Sequence, residues 1–164
     1  MKNIGIFYGS SIGNTKAVAK TLSQALDADI YDVADASADD LSQYKSLIFG
    51  SSTWGFGDLQ DDWDGFISAV RATDLSGKKV AIFGFGDSDS YPDSFVDAIG
   101  TIYKVVKAKG GEVVGATATD TYDYDASEAE VDGQFVGLPL DDENQSDLTD
   151  ERVNKWIGLL KEKL

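Results

Sequence analysis

Residues 9–15, GSSIGNT, set the hydroxyls of Ser10, Ser11 and Thr15 and the amide of Asn14 beside two glycines. An apolar run ends at Tyr8 and a helical pattern begins at Thr15, so the stretch is a strand-to-helix turn. Backbone amides from Ser11 through Ile12 and Gly13 to Thr15 would point into such a turn. The positive end of the following helix favours an anion there. No lysine follows the second glycine as in a nucleotide-hydrolysing P-loop, and no third glycine completes a dinucleotide fingerprint. Lys16 is the one nearby cation in sequence. The chemistry on offer is the seating of a phosphate monoester by mostly neutral donors. Taken alone, the stretch fits a tight structural turn equally well.

Two later loops share an aromatic theme. In SSTWGFGDLQDDWDGF, residues 51–66, Thr53 and Trp54 precede Gly55, Phe56 and Gly57. Glycines around an aromatic allow a backbone to approach a ligand closely. In GFGDSDSYPDSF, residues 84–95, Phe85, Gly86 and Asp87 lead to Tyr91. Singly, Trp54 reads as a core lid and Tyr91 as packing on the next helix. Facing one cleft, the two can sandwich a flat ring. A phosphate-sized turn, a tryptophan and a tyrosine, each at a strand's carboxyl edge, together point to a bound ligand.

Composition removes many alternatives. The chain has no cysteine, which excludes disulfides, thiolate catalysis and cysteine metal sites. It has no histidine, so the usual general base near neutral pH, the commonest metal ligand and the Ser–His–Asp triad are missing. Reactive chemistry is therefore expected to belong to something bound. Fourteen basic residues against 29 acidic ones give a net charge of −15, which repels nucleic acid. That charge serves solubility, or steers the chain toward a basic partner. No apolar stretch nears the roughly 18 residues of a membrane span. The N-terminus enters a strand-like run, so no charged-then-apolar leader of signal type is expected. No membrane partner and a cytoplasmic location are expected.

The elements that must position these loops alternate. Strands are expected at 3–8, around DADIYDV, at 46–52, at 78–86 and from EVVGAT onward. Helices are expected at 15–26 (with Ala17, Val18, Thr21, Leu22, Ala25 and Leu26 inward), 61–72, 95–109 and 148–164, with a brief one after Ser37. Ser146 or Asp147 is expected to cap the last. Alternation of this kind implies a five-stranded parallel sheet between helical layers, a doubly wound α/β sandwich in one domain spanning 1–164. Residues 117–137 interrupt the last strand as an insertion. Their aspartates lack the spacing of a calcium loop, so no metal is expected. In such sheets ligands bind beyond the carboxyl ends of the strands, where strand order reverses. That is where the three loops would meet.

With those loops in view, the sequence resembles the flavodoxins, specifically the long-chain type. GSSIGNT is similar to the family's phosphate loop, STWGFGDLQDDW and GFGDSDSYPDSFVDAIG to its two flavin loops, and FVGLPLDDENQSDLTDERVNKW to its C-terminal signature. The resemblance implies a flavodoxin-like strand order of 2-1-3-4-5, non-covalently bound FMN, and low-potential one-electron transfer between redox proteins, not an enzyme activity. It implies a phosphate on Ser10, Ser11, Ile12, Gly13, Asn14 and Thr15. Trp54 and Tyr91 would cover the two ring faces. Thr53, Gly55, Phe56, Gly57, Phe85, Gly86 and Asp87 would meet the ring edges, and Glu143 the ribityl chain. Ile12 stands where the family usually has threonine, Phe85 where it has a small polar residue, and Ser94 where it has an amide. The resemblance also implies a peptide after Gly55 that turns over on reduction, so that a Cβ at 55 would penalise the reduced state selectively. Asp58, Asp61, Asp62, Asp64, Asp87, Asp89 and Asp93 fall in the flavin loops, which turns the charge toward basic-surfaced redox partners, with the chain a monomer. The alternative on the same fold is an FMN-dependent NAD(P)H quinone or nitro-group reductase.

Overall fold

The computed structural model describes residues 2–164. Its sheet is built from β1 (Lys2–Gly9), β2 (Asp29–Asp32), β3 (Tyr44–Ser51), β4 (Lys79–Phe85), β5 (Glu112–Val113) and β6 (Leu138–Leu140). All pairings are parallel, in the order β2-β1-β3-β4, with β5 and β6 sharing the place beyond β4. β5 pairs with the start of β4 and β6 with its end, so the fifth strand is split where the sequence suggested.

The helices are α1 (Asn14–Leu26), α2 (Ala38–Ser42), α3 (Asp61–Arg71), α4 (Asp97–Ala108), α5 (Asp142–Gln145) and α6 (Thr149–Lys163). Successive strand residues point to opposite faces. Ile6, Ile48 and Phe83 therefore join Val18, Leu22 and Trp156 in one core layer under α1 and α6. Phe7, Phe49 and Ile82 join Trp63, Ile67, Ile99 and Ile102 in the other, under α3 and α4. Burial on both faces explains why these strands read as continuous apolar runs.

Three local expectations are corrected. In α1 the buried stripe is Thr15, Val18, Ala19 and Leu22, whereas Ala17 and Thr21 are exposed. Two small residues cannot set a helix's rotation against Leu22 and Val18. α4 begins at Asp97, not Phe95, because Val96 sits in the left-handed region at φ 48°. Ser146 and Asp147 do not cap α6. They form a 3₁₀ turn with Leu148, and Leu148 stands at the cap position without a side-chain bond. Ser37 does open α2: its N–H donates to the Asp40 carboxylate at 2.9 Å.

The insertion folds into a small antiparallel sheet of Thr117–Ala118, Gln134–Phe135 and Glu130–Val131. Phe135 and Ala129 are fully buried, and the rings of Tyr122 and Tyr124 close over Phe95 and Phe135. The Arg152 guanidinium lies 3.9 Å from the Tyr122 ring centre and donates to the Thr121 carbonyl at 3.0 Å. A Cβ on Gly100 would come within 2.4 Å of the Glu128 carbonyl oxygen, so glycine there lets the insertion's backbone lie on α4. No helix among the described residues is long and apolar enough to cross a membrane.

Candidate functional site

Beyond the carboxyl ends of β1, β3, β4 and β6 lies a cleft of about 180 Å³. It is the position at which a doubly wound sheet takes its ligands. Ser10, Ser11, Ile12, Asn14 and Thr15 line one end. The first bond inside α1 runs from Ala17 N–H to Gly13 O at 3.0 Å. The amides of the preceding turn therefore have no helical acceptor and face the cleft end of the helix dipole. Gly13 itself does not line the cleft. It holds φ 95° as the cap residue and spends its N–H on Ser10 Oγ at 3.0 Å. Ile12 is 67% exposed, an apolar lip where a hydroxyl would add a donor.

The next wall is a hairpin of Thr53–Trp54 paired with Asp58–Leu59. Gly57 N–H donates to Trp54 O at 3.2 Å and closes its turn. Ser52, Thr53, Trp54 and Gly55 face the cleft. The indole is oriented by its Nε1–H, which donates to Ser52 Oγ at 2.9 Å. Phe56 and Gly57 do not line the cleft. Phe56 is 89% exposed on the outside of the turn, its ring edge-on to Tyr91 with centres 5.8 Å apart. Gly55 already sits at φ 53° and Gly57 at φ 111°. A Cβ at 55 is therefore strained in this conformation as well, so its penalty is not confined to a turned-over peptide.

Phe85, Gly86, Asp87 and Tyr91 form the opposite wall, and Asp142 and Glu143 close the floor. This wall is stapled to the C-terminal segment. Asp141 is fully buried, and its carboxylate accepts the Ser88 N–H at 3.1 Å, the Ser88 hydroxyl at 2.8 Å and the Asn144 N–H at 3.1 Å. The Asn144 side chain also donates to Asp141 and to Asp87 Oδ1, the latter at 2.9 Å. Burial pushes the Asp87 carboxyl up. The Ser90 N–H and the Asn144 amide more than offset this and hold it below the ordinary aspartate value.

Four residues that matter were missed in the sequence. Ser52 and Asp142 line the cleft. Asp141 and Gln60 position its walls from behind. Gln60 is 2% exposed: its Oε1 accepts from the N–H groups of Asp62 and Trp63, and its Nε2 donates to Ser11 Oγ at 3.2 Å. It thus joins the first loop to the start of α3. A Cβ on Gly9 would fall 2.1 Å from Gln60 Oε1, so glycine there makes the link possible. An aspartate just ahead of a helical pattern is a capping signal, which Asp141 carries; glutamine is not a usual cap, and Gln60 carries no such signal.

Around the mouth, Asp58, Asp61, Asp62, Asp64, Asp89 and Asp93 are exposed. Ile12, Trp54, Phe56 and Tyr91 are four of the five exposed large apolar residues among those described, and all flank the cleft. Exposed apolar residues gathered at one cleft are a feature of surfaces that bind other molecules.

A family model described as Flavodoxin matches residues 6–156. The chain belongs to the flavodoxin family. It is 45% identical over 163 residues to the flavodoxin of a Nostoc species, covering 98% of this chain and 96% of that one. It is 44% identical over 162 residues to the flavodoxin of Helicobacter pylori, covering 98% of each. Among solved structures it is similar to a Fusobacterium nucleatum flavodoxin bound to flavin mononucleotide, with a TM-score of 0.94 at 31% identity over 100% of this chain and 99% of that one. The flavodoxin-like strand order expected from the resemblance is the order observed.

Proposed function

We propose that this flavodoxin is a one-electron carrier that binds FMN non-covalently in the cleft between Trp54 and Tyr91. One observation carries the reading. A single cleft joins a helix N-terminus with hydroxyl and amide side chains at one end to two aromatic side chains at the other. The donor set fits FMN: Ser10, Ser11, Asn14 and Thr15 suit a phosphate monoester, and the aromatic walls suit a flat ring. When bound, FMN supplies the one-electron chemistry. Ser11, Asn14 and Thr15 hold the phosphate, with the amide of Ile12 beside them. Trp54 and Tyr91 cover the ring and exclude water, and Glu143 and Asp142 stand toward the ribityl chain. The carboxylates at the rim disfavour added negative charge in the cleft, which separates the two reduction steps. The same carboxylates steer a basic-surfaced redox protein to this face. The insertion 117–137 supports the long-chain type, and two core layers on the two faces of a single sheet support one domain over 1–164, which we take to act as a monomer.

Two results are expected. The purified protein is yellow and releases FMN on acid denaturation; stoichiometric FAD or riboflavin instead would overturn the cofactor. It does not oxidise NAD(P)H on its own, as a quinone or nitro-group reductase on this fold would. A second test addresses the phosphate end. Thr15→Ala and Asn14→Ala each weaken FMN by about 1–3 kcal/mol, the cost of a lost charge-assisted bond. Ile12→Ala changes affinity less, since alanine keeps the one polar group, the amide, that Ile12 offers. Equal affinities for all three variants, read by flavin fluorescence titration, would place the phosphate elsewhere.

A further inference from the structure

The first turn of α4 is held from two sides. On one side Thr53 Oγ1, in the cleft wall, accepts the Ala98 N–H at 3.0 Å. On the other lies the insertion: the Ser127 hydroxyl donates to the Phe95 carbonyl, and Asp97 Oδ1 accepts the Glu128 N–H at 2.8 Å. The same Asp97 side chain fills the space under the hairpin turn. A Cβ built on Gly57 would lie 2.8 Å from Asp97 Oδ2 and 3.1 Å from its Cβ. Gly57 at φ 111° can take that place, and its backbone rests directly against the aspartate.

We propose that Asp97 is a positioning residue that ties the insertion to the Trp54–Gly57 turn, so that segment 126–129 helps fix the Trp54 wall of the cleft. One carboxylate oxygen locks the α4 N-terminus to the Glu128 amide, and the other limits how far the turn can sink toward α4. Glu128 is anchored in turn by Lys104, 3.0 Å from its carboxylate. Burial, followed by the charge of Glu128, pushes the Asp97 carboxyl up, which accords with a group held between two backbone segments and not in open water. The segment thereby acquires a task at the site, although no residue of 117–137 lines the cleft.

The inference rests on FMN binding only for one of its two readouts. In the apoprotein, amide hydrogen exchange is measured at Gly57 and Glu128. In the FMN complex, the dissociation constant is measured. Asp97→Ala is expected to speed exchange at both amides and to raise the FMN dissociation constant about tenfold, the equivalent of one lost hydrogen bond to a charged group. Asp97→Asn keeps an acceptor for Glu128 and the same volume beneath Gly57, so it stays within about threefold of the parent. Lys104→Ala loosens only the outer ion pair and changes neither Gly57 exchange nor affinity. Should Asp97→Ala fail to fold, Asp97→Ser replaces it: its shorter side chain opens the same gap under Gly57 and gives the same exchange result. Faster exchange at Glu128 with unchanged exchange at Gly57 and unchanged affinity would overturn the proposal, reducing Asp97 to an anchor of the insertion. A parent protein that binds no FMN would defeat the cofactor reading and leave the exchange test standing.

Discussion

Asp141→Ala is expected to lower stability by about 3–5 kcal/mol and to loosen the Tyr91 wall of the cleft. The carboxylate is fully buried and accepts from the Ser88 N–H, the Ser88 hydroxyl and the Asn144 N–H. Alanine leaves these donors, and the Asn144 side-chain amide that also bonds the carboxylate, without that acceptor, and each such loss costs about 1–3 kcal/mol. Local relaxation recovers part of that sum. The remainder is a large share of the roughly 5–15 kcal/mol that holds a domain together. Because Ser88 follows Asp87 and leads to Tyr91, the loss also reaches the ring site. Urea unfolding of the apoprotein reads the stability, and FMN titration reads the site. An unfolding midpoint within error of the parent would show that water replaces the carboxylate at no cost.

Gln60→Leu comes next in size, at about 2–4 kcal/mol. Leucine nearly conserves volume, so packing is little changed. What goes is the acceptor for two N–H groups in the first turn of α3, a cap worth about 1 kcal/mol or somewhat more, together with the half-buried donor to Ser11 Oγ. The distinctive outcome is coupling. Gln60→Leu and Ser11→Ala each weaken FMN, and the double variant loses less than the sum, because both single changes break the same bond. Strict additivity in that cycle would mean that Gln60 serves α3 alone.

These two side chains also show where sequence reading runs short. The strands were legible because burial on both faces leaves unbroken apolar runs, as in KKVAIFGFG. The site loops were legible because glycine, hydroxyl and aromatic residues cluster at strand ends. In one dimension Gln60 looks like an ordinary surface residue and Asp141 like no more than a helix cap. Their roles come from partners 49 and 53 positions away, Ser11 and Ser88. Phe56 and Gly57 failed to line the cleft for a similar reason: the three-residue hairpin turn 55–57 points Phe56 to solvent and sets Gly57 against Asp97, and that arrangement is a property of the folded turn. The start of α4 was misplaced because Val96 adopts φ 48°, which a β-branched residue rarely does.

The divided fifth strand has a consequence for how the molecule behaves in company. A long exposed strand is a template on which another chain can continue the backbone ladder, and sheets left open in that way tend toward aggregation. Here the border beyond β4 is broken into pieces of two and three residues, with the small antiparallel sheet attached between them. At the other border β2 runs for only four residues and begins and ends in aspartate. With a net charge of −15, neighbouring copies also repel one another. A carrier that meets many other proteins gains from this design, since neither border offers a foreign strand more than a few rungs to hold.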